Sequence, residues 1–334
     1  MAAHPDLRID SNLAPFSPCV DRFVTSGYRE AVSFERQLEL LAGVPGIVGV
    51  ALDYPTQFGD GVALRELTAR FGLRVGMVEV DMYSTPEWQH GSLTAADEAT
   101  RRRALARCKR GVEEALAAEA ADLQLWLGQD GYDYPFQSDY REAWARLRDG
   151  IAEVAAHRPE MRITVEYKLK EPRNRCHLAT AAAVLSLILE IGAPNVGATL
   201  DVGHSLMALE NPAEAAVLLG SRGRLYHLHL NDNFRDWDHD MSPASVHLWE
   251  QLELFYWLRR LGFDGWYGID TYPYREDGRR ALERTVRTVY WLYEMAAALP
   301  ADEMARLQRA DDVAGILDLL HEHVLRRPGD RAPR

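Results

Sequence analysis

The chain has 334 residues, 47% hydrophobic and 26% charged, a globular composition that can bury a large core and fits no class of disorder. Its 38 basic and 50 acidic residues leave a formal charge of −12, which repels a phosphate backbone and argues against nucleic acid as a partner. No apolar run approaches the roughly 18 residues needed to span a bilayer, so no membrane partner is expected either.

In chain order, short apolar runs alternate with longer stretches of helical periodicity. The first strand is expected at DRFVTS, 21–26, followed by the helical FERQLELLAG. IVGVALDY (47–54) precedes GVALRELTARFG, and RVGMVEVDM (74–82) precedes the long TAADEATRRRALARCKRGVEEALAAEA. LQLWLG (123–128) leads to DYREAWARLRDGIAEVAAH, and ITVEYK (163–168) to HLATAAAVLSLILEIG. VGATLDVG (196–203) is followed by PAEAAVLLGS, LYHLHLN (225–231) by VHLWEQLELFYWLRRLG, and WYGIDTY (266–272) closes the series. Gly43, Gly72, Gly192 and Gly262 stand where helices should stop.

Eight strands alternating with helices predict an α/β fold, a parallel (β/α)8 TIM barrel over residues 1–300. One additional C-terminal helix, ADEMARLQRADDVAGILDLLHEHVLRR, follows, and 301–334 forms a helical extension whose apolar face suits an oligomer contact. RRPGDRAPR at the end reads as a frayed tail. The N-terminus lacks the charged and apolar regions of a signal peptide, and Cys19, Cys108 and Cys176 are odd in number and widely spaced. Both point to a reducing, cytoplasmic setting.

Polar residues collect at the carboxyl ends of the later strands, where this fold carries its chemistry. Strand alternation turns Glu166 and Lys168 to one side, and His227, His229 and Asn231 likewise. Asp201 ends the sixth run with His204 one turn on, beside a Gly203 that permits a bend, and Asp270 ends the eighth. Glu166, Asp201, His229 and Asp270 at one mouth are three carboxylates and an imidazole, a set that asks for a cation. The loop DWDHD adds Asp238 and Asp240, and with His204 and a bridging Asp201 a second ion can be held. Oxygen-rich ligands suit Mn²⁺, with Mg²⁺ or Co²⁺ as alternatives, one or two per subunit.

Taken singly, each has a plain reading. A strand-end Asp is usually a helix N-cap or turn former. Lys168 can pair with Glu166, His227 suits a hydrogen-bonded core position, His239 should point away from an ion, and Glu171 and Arg173 can shape the mouth. The coincidence of ionisable residues on four consecutive strand ends favours the metal site.

From about Trp88 to Asp277 the pattern resembles the xylose isomerase-like barrels of sugar isomerases and epimerases. Glu166 and Lys168 match the family's Glu-x-Lys strand; Asp201 and His204 match its acid-x-x-His; His227, His229 and Asn231 match the next strand; Asp238, Asp240 and Asp270 match its Asp-x-Asp loop and last acid. LWLGQDGYDYPFQ is similar to its fourth-strand segment, with Trp126 as a sugar-facing wall. Asp at 201 and His at 229 look like the L-rhamnose isomerase-type branch. No ring-opening histidine is matched on the second strand, where ALDYP offers Asp53 and Tyr54.

The resemblance implies a metal-dependent aldose-ketose isomerase that moves a hydride between C1 and C2 of a free pentose or deoxyhexose. Glu166, Lys168 and Asp270 would be catalytic, and Trp126, Lys168 and His204 would contact the sugar. The alternative it implies is a single-metal ketose 3-epimerase working by proton transfer, for which Asp270 is a short base. The fold's DNA-repair endonucleases would need a basic groove, which −12 does not provide. Lys170, Arg235 and Arg275 are candidate anion contacts should the substrate be phosphorylated. The family habit implies a homotetramer or homodimer.

Overall fold

The computed structural model describes residues 7–325. Eight parallel strands close on themselves: β1 (Arg8–Ser11), β2 (Gly49–Tyr54), β3 (Arg74–Val80), β4 (Asp122–Trp126), β5 (Ile163–Glu166), β6 (Val196–Asp201), β7 (Leu225–Leu230) and β8 (Trp266–Ile269). They run in sequence order round the barrel, β8 pairing with β1. The protein is therefore a TIM barrel, with helices outside it and further helices at its C-terminal end.

Alternation along each strand separates two chemistries. Leu123, Leu125, Ile163, Val165, Leu200, Leu228 and Leu230 are fully buried with Val184, Leu187, Leu254 and Phe255 of the helical layer. At roughly 25 cal/mol per Å² this shell supplies the main driving force. The intervening residues Gln124, Thr164, Thr199, His227 and His229 are buried too, but polar: Thr199 bonds both Gln124 and Thr164 across the lumen, while His227 meets Asp122 and His229 meets Glu166. Removing them from water costs free energy that these hydrogen bonds offset.

The outer helices are α1 (Phe34–Ala42), α2 (Gly61–Arg70), α3 (Glu98–Ala117), α4 (Tyr140–His157), α5 (Ala181–Ile191), a short α6 (Val202–Met207), α7 (Pro212–Gly220), α8 (Leu248–Leu261) and α9 (Gly278–Ala298). Ser33, Asp60, Asp97, Asp139, Thr180, Asn211 and Asp277 cap seven of them with side-chain oxygens. A two-stranded antiparallel ribbon, Gly131–Tyr132 with Arg175–Cys176, ties the β4 and β5 loops together.

Two expectations need correction. DRFVTS is not β1: Asp21 accepts the backbone N–H groups of Phe23 (2.7 Å) and Val24 (2.6 Å), making a turn, and Phe23 is 78% exposed. The true strand, RIDS, carries Asp10 on its buried side and so has no apolar pattern to announce it. The C-terminal helix is two, α10 (Ala301–Arg309) and α11 (Val313–Leu320), because Asp311 turns left-handed (φ 51°) and Asp312 caps a new start. All four glycines stand where helices stop, Gly72, Gly192 and Gly262 with positive φ and Gly43 capping α1 at φ −74°. The expected tail, 326–334, lies outside the described residues. Among the described residues no helix is long and apolar enough to cross a membrane.

Candidate active site

Register builds the site. Asp201 pairs with His229 across β6 and β7, and Trp126 with Glu166 across β4 and β5. His229 Nδ1 lies 3.2 Å from Glu166, 3.6 Å from Asp270 and 3.8 Å from Asp201. One ligand atom from each of these four residues falls within 4.8 Å of the others. Asp201 also caps α6, its Oδ1 accepting the His204 N–H (2.7 Å), so the plain reading of a strand-end Asp holds for one oxygen. Its Oδ2 accepts from Asn231 (2.9 Å) and faces His229.

A second group, Asp201, His204 and Asp238, meets the same distance limit and shares Asp201 with the first. His204 Nε2 is 3.0 Å from Asp238, and its Nδ1 is 2.9 Å from the Tyr167 carbonyl. An Nδ1–H donated to that carbonyl leaves the Nε2 lone pair free for a cation. Asp240 lines the same cavity but stands outside this tight group, 3.5 Å from Asn231. Gly203 makes no bend; it lies within α6, where a Cβ would meet the Asn231 Oδ1 at 2.7 Å.

Lys168 does not pair with Glu166. Its Nζ sits 2.7 Å from both Glu171 and Asp238 and 5.0 Å over the Trp126 ring. Glu166 instead accepts from Gln124 (2.6 Å), which also donates to Glu79 (2.6 Å). Arg173 holds the ribbon through Asp133 (3.2 Å). Of the other basic candidates, Lys170 donates to the Asp236 carbonyl and Arg235 to Glu250 and His247. Arg275 lies over Tyr28. His227 is buried deeper, 3.2 Å from Asp122 and 3.6 Å from Asp10. His239 lies edge-on to Phe234.

Crowded charge sets the electrostatics. Burial and the neighbouring carboxylates push Asp201 up to about 7, although His204 opposes the rise. Burial also raises Asp270 and, helped by Asp238 and Asp270, Asp240. For Glu166 burial is outweighed by the His229 and His204 imidazoles, which hold its carboxyl low. Burial opposes the charge on His229, yet Glu166 and the other acids lift it to about 10. The imidazolium thus stands where positive charge is demanded. Asp238 Oδ1 is buried with no hydrogen-bond partner. Orphaned oxygen, crowded acids and two imidazoles fit a divalent cation, or two sharing Asp201.

The chamber above these groups holds about 540 Å³. Residues that the motifs did not reveal also line it. Asn12, just after β1, donates to Asp270 (2.5 Å). Glu79 pairs in register with both Asp53 and Gln124, and burial next to Asp53 and Glu166 holds its carboxyl well above the usual range. Burial, with Asp81 and Asp270, raises Asp53 to about 7. An acid inside the apolar run RVGMVEV was the available signal for Glu79; Asn12 was lost with the misplaced β1.

Residues 46–295 match the family model described as xylose isomerase-like TIM barrel. The xylose isomerase of Thermus thermophilus is 27% identical in a match of 241 residues that covers 69% of this chain and 62% of that enzyme. The match thus spans less than two thirds of that relative. Among solved structures, an L-ribulose 3-epimerase superposes with a TM-score of 0.69 at 17% identity, covering 87% of this chain and 96% of that one. The D-allulose 3-epimerase of a Methylomonas species gives 0.67 at 14% identity, covering 87% of this chain and all of that one. At such identities the two structures speak for the fold.

Proposed function

Because this chain belongs to the xylose isomerase-like TIM barrel family, we propose that it is a metal-dependent isomerase of a neutral free sugar, exchanging aldose and ketose by a C1–C2 hydride shift. The observation that carries this reading is the pair of ligand groups joined at Asp201 beside a charged lysine. Glu166, Asp201, His229 and Asp270 would hold one cation, and Asp201, His204, Asp238 and Asp240 the other. Bound there, divalent cations supply positive charge that polarises a sugar carbonyl and offsets negative charge developing on its oxygen. Mn²⁺ is the proposed ion, with Mg²⁺ or Co²⁺ as substitutes.

The chain's own residues supply the rest. Burial opposes the Lys168 charge, but Asp238 and Glu171 hold its ammonium well above the ordinary range. It therefore acts as a hydrogen-bond donor to a substrate oxygen, not as a base. Trp126, braced edge-on by Tyr83 at 4.4 Å, gives the sugar an apolar wall and excludes water from the reacting carbons. Lys168, His204 and His229 are the basic residues of a chamber lined by many carboxyls, which favours an uncharged substrate over a phosphorylated one. Three buried, unpaired cysteines support a reducing, cytoplasmic compartment.

A second reading, a one-metal ketose 3-epimerase, draws on the position of Asp240 outside the tight second group. The deciding experiment strips the protein with EDTA, restores Mn²⁺ and follows free aldoses and ketoses in D₂O by NMR. Aldose–ketose conversion with little deuterium uptake is expected. Ketose-to-ketose conversion with deuterium at C3 would replace the isomerase with the epimerase, and no conversion of any sugar would remove both.

A further inference from the structure

The barrel mouth opens into a second cavity of about 870 Å³, larger than the reaction chamber. The two share Glu171, Trp237, Asp238, Asp240, Tyr272 and Tyr274, so they adjoin along these side chains. Each alone falls in the roughly 300–1,000 Å³ range of a small-molecule site, so a single sugar at the carboxylates leaves the outer space unused.

Three loops wall the outer cavity: residues 20–23 beyond β1, 237–245 beyond β7 and 271–276 beyond β8. Their surface is aromatic. Phe23 is 78% and Trp237 46% exposed. Tyr272 and Tyr274 stack at 6.2 Å, and Tyr28 braces Tyr274 edge-on at 5.6 Å. Exposed rings gathered at one place mark a binding surface. The ring face carries the negative side of the quadrupole, which suits C–H groups. A pyranose offers C–H groups on its faces and hydroxyls round its rim.

Hydroxyl partners are at hand in Ser245 and Thr271, and in Ser242, which also bonds Thr285 at 3.0 Å. Carboxylates outnumber guanidiniums on the cavity lining, with Asp21, Glu171, Asp238, Asp240 and Glu276 against Arg22, Arg275 and Arg284. That excess of negative charge disfavours an anion and leaves a neutral ligand as the better fit.

We propose that the outer cavity is a second sugar subsite and that the substrate is a reducing disaccharide. The reducing unit enters the inner chamber and the second ring packs on the Phe23, Trp237, Tyr272 and Tyr274 faces. This rests on the isomerase reading of the inner chamber. The chemistry is compatible: one hydrogen moves between C1 and C2 and one proton between their oxygens, while a glycosidic bond at another hydroxyl is untouched.

The test pairs glucose with cellobiose and maltose, mannose with mannobiose, and xylose with xylobiose, on the Mn²⁺-restored full chain. At least one disaccharide is expected to exceed its monosaccharide in kcat/KM by about tenfold. Phe23→Ala should erase most of that advantage. Saturation-transfer NMR on the metal-free protein should show transfer to protons of the non-reducing ring. Monosaccharides turned over with disaccharides inert would overturn the subsite and leave the isomerase standing. If no sugar reacts, the isomerase reading fails, and the NMR then decides the subsite alone: transfer to the non-reducing ring upholds it, and its absence rejects it.

Discussion

Lys168 is buried, yet two carboxylates at 2.7 Å and the face of Trp126 keep it charged and aimed. Lys168→Met should retain the volume of the stem and leave metal stoichiometry unchanged, while kcat/KM falls by about 10²–10³, the usual loss for one oriented donor. Elemental analysis with NMR-monitored turnover checks both halves; turnover at the wild-type level would remove Lys168 from the mechanism. Asp53 allows a test by pH. Burial, Asp81 and Asp270 raise its pKa to about 7, above the unfolded 3.8, so the folded protein binds the proton more tightly. Stability of the metal-free protein then declines as pH rises from about 4 through about 7. Asp53→Asn should leave stability below pH 4 unaltered and add at least about 1 kcal/mol at pH 8, one pKa unit being worth 1.36 kcal/mol. Urea titrations in EDTA at both pH values measure this, and an equal gain at both would mean a packing effect.

The loop carrying Trp237 to Asp240 belongs to both cavities, and it ends on a left-handed Asp240 (φ 47°) whose carbonyl accepts the Tyr272 N–H (3.0 Å). Asp238→Asn with Asp240→Asn should leave one equivalent of Mn²⁺ bound where wild type binds two, and cut turnover by about 10²-fold or more. Two equivalents retained, or full activity, would favour one-metal chemistry. The ligand set was readable because its residues stand at the ends of successive strands whose alternation reveals their facing. Asp201, His229 and Asp270 share a mouth because β6, β7 and β8 are consecutive. What was not readable depends on register between strands or on a strand with no apolar signature. Glu79 faces Asp53 and Gln124 only once β2, β3 and β4 are aligned. Asn12 and Asp10 follow from a four-residue β1 whose inner face is polar. Gln124 shows the same limit: inside LQLWLG it reads as an interruption, but folded it links Glu79, Glu166 and Thr199.

Beyond the barrel, α10 buries Met304 and Leu307, whereas no residue of α11 is buried. Val313 and Leu317 are each 60% exposed, and their i,i+4 spacing puts them on one side of the helix. Burying a branched apolar side chain fully is worth about 1.5–3 kcal/mol, so a second copy that covered this stripe would gain several kcal/mol. We propose that the extension 301–334 is an oligomer contact and that the protein assembles as a homodimer or homotetramer. Light scattering at micromolar concentration should give two or four times the mass of one chain. Val313→Glu with Leu317→Glu should reduce it to one, because each new carboxylate would have to be buried without a partner. The variant's Mn²⁺ stoichiometry should equal that of wild type, since α11 lies outside both cavities. A wild-type monomer would leave the stripe exposed to water and remove the extension from any assembly; a variant that stays oligomeric would move the interface to another face of the barrel.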